Sequence, residues 1–139
     1  MRTLAALLLL LAPLAAAPVP KELKKDEMSR FVGEWWESRM GDSTYTDAAL
    51  ARRFSFDREG ILGIRQNAGA PPTDYKIAID TAAPKPCFTF AQNGKVIFNA
   101  AYRMDGDTFS FALTSPGQPL AEEIKPGAGV IFYELKRVK

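Results

Sequence analysis

From Phe31 onward no stretch of the chain sustains a helical period, and short β-rich runs are broken by turn residues at close intervals. That spacing constrains the fold more than any other feature. Connections this short cannot carry parallel crossovers, which need about a dozen residues, so the runs must pair mainly as antiparallel hairpins. The runs are Phe31 to Ser38, Leu50 to Asp57, Ile61 to Gln66, Thr73 to Asp80, Cys87 to Ala91, Lys95 to Arg103, Thr108 to Leu113 and Gly129 to Arg137. Asp57-Arg58-Glu59-Gly60, Asn93-Gly94 and Asp105-Gly106-Asp107 supply turn chemistry, with Asn93-Gly94 the strongest two-residue hairpin signal. The pattern predicts an all-β domain: a single eight-stranded antiparallel up-and-down barrel, closed so that no sheet edge is left exposed.

Alternation assigns the faces. Tyr75, Ile77 and Ile79 share one side of their run against Asp74, Lys76 and Asp80, while Phe109, Phe111 and Leu113 share one side of theirs. Ile131, Tyr133, Leu135 and Arg137 form one face of the last run. The long connection from Arg39 to Ala49 is placed to lie over a barrel mouth.

With 139 residues, 47% hydrophobic and 24% charged, the chain suits one domain with one core. A net charge of only +2, with cations scattered among acids, provides no stripe for phosphates and disfavours nucleic acid. Residues 1–17 read as a signal peptide: Arg2, then a Leu/Ala run from Leu4 to Leu14, then Ala15-Ala16-Ala17. The apolar run is short for a membrane span and is interrupted by Pro13, so export to the periplasm, cell surface or medium is expected, with no span after signal removal. Residues 18–30 then form a linker or a short helical lead-in, and 31–139 form the barrel domain. Cys87, the single cysteine, cannot form an intramolecular disulfide and reads as a small buried apolar residue.

The composition also bears on chemistry. Without histidine there is no imidazole base, no imidazole-dependent triad and no ordinary zinc or blue-copper site, and no phosphate loop is present, so neither enzyme activity nor a metal or cofactor is expected. Glu34 and Glu37 are candidate paired carboxylates, but three positions apart they fall on opposite faces of a strand. Glu122 and Glu123 read as solvated loop acids, and Asp105-Gly106-Asp107 as a turn.

Several elements, in order, resemble the lipocalin-like, largely uncharacterised small exported domains abundant in planctomycete bacteria. They are Gly33-Glu34-Trp35, Phe54 to Asp57, Tyr75-Lys76-Ile77 with Asp80 and Pro84-Lys85-Pro86, Tyr102 with Asp105-Gly106-Asp107, and Lys125-Pro126-Gly127 before Leu135-Lys136-Arg137. The resemblance spans nearly all the chain after the leader and brings no activity with it. It implies a calycin-type barrel in which Gly33 and Trp35 on the first strand meet Arg137 near the chain end, closing one end of the barrel by packing and a cation–π contact. Trp36 then faces outward, under the N-terminal segment or in a contact patch.

Inward alternation gathers Phe54, Phe56, Tyr75, Ile77, Phe88, Phe90, Phe98, Tyr102, Phe109, Phe111 and Tyr133. Two readings of this lining stay open. In one, Tyr75, Phe98, Tyr102, Phe111 and Tyr133 bind a small hydrophobic molecule, oriented by the phenol groups and by Arg103 or Arg65 at a mouth. In the other the rings fill the barrel, and an envelope interaction module works through Trp36, Tyr45 and the loops Gly41 to Asp47 and Ser115 to Glu123.

Overall fold

The structure, a computed structural model, describes residues 25–80 and 85–139. The leader, the start of the lead-in and Pro84 lie outside the described residues. One short helix, α1 (Lys25–Phe31), precedes β1 (Gly33–Met40), β2 (Ser43–Thr44), β3 (Arg53–Phe56), β4 (Ile61–Arg65), β5 (Thr73–Asp80), β6 (Cys87–Gln92), β7 (Lys95–Asp105), β8 (Thr108–Thr114) and β9 (Ile131–Arg137).

β1 pairs antiparallel with β3, each strand from β3 to β9 pairs antiparallel with the next, and β1 pairs with β9 to close an eight-stranded up-and-down barrel that fits the lipocalin-like architecture. β2 is an addition, a two-residue arm folded back on the end of β1. The turns follow their residues. Asp57 Oδ1 accepts from Glu59 N (2.9 Å) and Ile61 N (2.8 Å), while Asn93 and Gly94 both take positive φ (52° and 76°), as a tight hairpin turn requires.

Three strands, β1, β3 and β9, begin later than their sequence runs, β9 at Ile131 rather than Gly129. Phe31 belongs to α1, because Gly33 takes a φ of 129° and bends the chain between helix and strand. β3 starts at Arg53 rather than Leu50, because Asp47 draws residues 47–50 into a turn, its carboxylate accepting from Ala49 N and its carbonyl from Leu50 N.

The interior is aromatic. Trp35, Phe54, Phe88, Phe109 and Phe111 are fully buried with Leu62 and Leu135. Phe31 enters this core from α1, its ring 5.1 Å from those of both Tyr102 and Phe109. β8 is buried on both faces. Its outward Ala112 sits between Ala101 and Phe132, and all three are buried. In the segment between β8 and β9, Ala121 is buried, and Lys85 Nζ donates to its carbonyl at 3.3 Å.

Two β-bulges break the alternation. Ser38 is the extra residue of β1 opposite β9, and Ile97 is the extra residue of β7 opposite β6. Both lie toward the same end of the barrel, the end away from α1.

Candidate functional site

The α1 end is sealed. The Trp35 indole donates to the Phe31 carbonyl (2.9 Å), and the Arg137 guanidinium lies 4.1 Å from the centre of the Trp35 ring. Arg137 also donates to the carbonyls of Val32 (3.0 Å) and Arg30 (2.9 Å), satisfying acceptors at the helix C-terminus. A Cβ on Gly33 would stand 3.0 Å from Arg137 Nη1, so the residues named from the resemblance occupy one interlocked cluster.

The opposite end is open. There a cavity of about 170 Å3 is lined by Phe54, Ile64, Tyr75, Phe90, Ile97, Phe98, Phe111 and Leu113, with Arg52, Gln66 and Tyr133 as its polar members. The β7 bulge turns both Ile97 and Phe98 toward this space, where strict alternation would admit only one. Phe111 and Tyr133 stack with centroids 5.2 Å apart, and Tyr75 meets Phe90 edge to face at 6.1 Å.

Of the residues expected to bind a ligand, Tyr75, Phe98, Phe111 and Tyr133 therefore share one cavity. Tyr102 does not reach it. It is packed at the sealed end against Phe31, Phe88 and Phe109, where burial, with Glu27 adding to it, pushes its phenol up to about 12. Arg103 and Arg65 are not at the mouth either: Arg103 is exposed and paired with Asp105 (3.1 Å), and Arg65 sits opposite Arg53 on the outward face of β4.

Arg52 takes their place. Two residues before Phe54, it points into the mouth and donates to the Tyr133 hydroxyl at 3.3 Å. Its Nε lies 3.8 Å from Glu37 Oε2, and its Nη1 is 3.9 Å from Met40 Sδ. Glu37 has the parity of Trp35, so its carboxyl is turned inward and is only 2% exposed. Among the described residues its Oε1 has no hydrogen-bond partner, and burial raises its pKa, with Arg52 only partly offsetting this. Burial likewise raises the Tyr133 phenol, against the pull of Arg52.

Other motifs resolve into structure. Glu34 faces outward and meets Arg53 at 3.6 Å, while Asp105 and Asp107 face Arg103 and Arg137. Glu123 pairs with Lys125 on the surface. Cys87 is half-buried, its thiol raised by burial and then by Asp80. Trp36 faces outward and is half-buried, with Lys136 Nζ 5.9 Å from its ring centre.

Fold and site together define a lipocalin-like β-barrel with one plugged end and one open, aromatic-lined end carrying a Glu37–Arg52–Tyr133 cluster. No protein-family model and no curated protein matches the chain.

Proposed function

We propose that this protein is an exported, non-enzymatic lipocalin-like binder that takes a small hydrophobic molecule into the open half of its barrel. The observation that carries this reading is the cavity of about 170 Å3 whose aromatic wall ends in a few polar groups at the mouth, the pattern of a small-ligand site. An engineered apolar cavity of roughly 150 Å3 accepts benzene, so the space suits a single ring or a short branched chain rather than a long lipid. Export is supported by Arg2, the Leu4 to Leu14 run and the alanines after it. The absence of histidine supports a binding role over catalysis.

The test is native mass spectrometry of the protein gently purified from an exporting host, followed by solvent extraction. The expected result is a reproducible extra mass that disappears on extraction. A bare mass together with no uptake of small hydrophobic dyes would overturn the reading. That outcome would favour an envelope interaction module, for which the exposed Tyr45 (41%) and Leu50 (77%) beside the mouth are the supporting observation.

A further inference from the structure

We propose that the open half of the barrel selects a carboxylate carried on a ring-sized apolar body, with Arg52 as the partner of the anion and Glu37 as a proton-linked competitor for that arginine. This deepens the binding role proposed above and rests on it.

The cavity fixes the size of the apolar part, and the rim fixes the head group. A guanidinium carries five N–H donors in a planar fork. Among the described residues the one oxygen acceptor within hydrogen-bond reach of Arg52 is the Tyr133 hydroxyl, at 3.3 Å. The approach to Glu37 at 3.8 Å is an ion pair without a direct hydrogen bond, and the Met40 sulfur at 3.9 Å is a weak acceptor. Arg52 therefore has donors to spend, and with its side chain 35% exposed it is reachable from the mouth. A carboxylate on a ligand seated among Phe54, Phe90, Phe98 and Phe111 would find a two-pronged donor at the rim. A cationic ligand would meet repulsion there, and a neutral one would cover the guanidinium without supplying a counter-charge.

Glu37 sets how strongly Arg52 is already engaged. Its carboxyl is buried, one oxygen lacks a partner among the described residues, and its approach to Arg52 is loose. Among the described residues the charged or titratable groups facing it are Arg52, from the segment entering β3, and Tyr133, from β9; Tyr45 acts on Tyr133 from the loop beyond. The inward face of β8, formed by Phe109, Phe111 and Leu113, carries none. An anion on Arg52 draws the guanidinium away from Glu37 and adds a second negative charge beside it. Both effects favour protonated Glu37, so binding takes up a proton, and by linkage affinity falls as pH rises through the Glu37 titration.

The experiment is calorimetry of the full chain with phenylacetate, its neutral amide, the amine of matching size and toluene, in buffers of different ionisation heat. Phenylacetate is expected to bind about tenfold or more tightly than the amide, with the amine weakest and with net proton uptake. Arg52→Gln should abolish the preference for the acid while toluene still binds, which also shows that the variant retains its fold. Glu37→Gln should keep the preference and lose the proton uptake. Equal binding of acid and amide, or an undiminished preference in Arg52→Gln, would overturn the selection while toluene binding leaves the carrier reading standing. Failure of every probe to bind, toluene included, would overturn both.

Discussion

The two ends of this barrel are built from the same kinds of residues and serve opposite purposes. At the sealed end, Phe31 on α1 completes a ring cluster with Tyr102, Phe88 and Phe109, and Arg137 uses its donors on the Val32 and Arg30 carbonyls. At the open end no helix of the described residues enters, rings of similar size surround a cavity, and Arg52 keeps most of its donors. Each end carries an arginine beside an aromatic wall; one bonds two backbone carbonyls and pairs with Asp107, the other bonds a single hydroxyl. A satisfied cation holds an element in place, whereas an unsatisfied one beside a cavity is available to a ligand.

That contrast puts the largest effects of mutation at the sealed end. Phe109→Ala should cost about 3–5 kcal/mol, because close-packed neighbours cannot collapse into the space it leaves. Phe98→Ala, beside an existing cavity and only partly buried, should cost roughly half that or less. Urea unfolding of both variants measures the difference, and equal losses would break the comparison. Arg137→Leu comes next, at about 2–3 kcal/mol, since it removes two bonds to backbone carbonyls at the end of α1 and the contact with Trp35. Asp107→Asn serves as its control. That carboxylate meets Arg137 in an exposed pair at 3.4 Å, so the change should stay within about 0.5 kcal/mol.

The contrast between the ends is only partly legible in the sequence. Turn residues and run lengths specify the eight-stranded antiparallel order, because hairpin chemistry is local. Period-two alternation places the inward rings, but it carries no information about depth, so Tyr102 and Tyr133 look alike until α1 plugs the end that holds Tyr102. Bulges are equally hidden: Ser38 and Ile97 each shift the parity of the residues after them, and nothing in their residue types announces it. The pairing of Trp35 with Arg137 comes from family resemblance rather than from alternation alone. Arg52 and Glu37 carry a readable signal, the parity of Phe54 and Trp35. Charge at an inward position ordinarily argues for the end of a strand, however, and in the sequence Glu37 stands out only as one half of a carboxylate pair.

A smaller effect probes the junction that seals the plugged end. Gly33 holds a φ of 129°, and a Cβ there would meet Arg137 Nη1 at 3.0 Å. Gly33→Ala should cost about 1–2 kcal/mol, combining backbone strain with displacement of the guanidinium. Thermal unfolding should show the loss, and amide exchange should localise it to α1 and β1 while the amides around Tyr75 and Phe98 stay unchanged. A loss spread evenly over the barrel would mean that the two ends do not act separately.

The smallest expected effect belongs to the open end and reads as a slope with pH. Burial raises the Glu37 pKa in the folded chain, Arg52 opposing it, whereas the unfolded chain releases the proton in the ordinary carboxylate range, near about 4.3. Between those two values the folded state holds more protons than the unfolded state, so stability falls as pH rises from the unfolded value through the raised folded one, and then levels off. This sign is opposite to that of a salt-bridged surface acid such as Glu123, whose carboxyl is lowered first by its bond to Lys125. Subtracting the profile of Glu37→Gln isolates the contribution of Glu37 from that background. The wild type minus variant difference should decline with rising pH and then become flat. A difference that rises with pH would mean that Arg52 holds Glu37 firmly as an anion, and the arginine at the open end would then be as satisfied as the one at the sealed end.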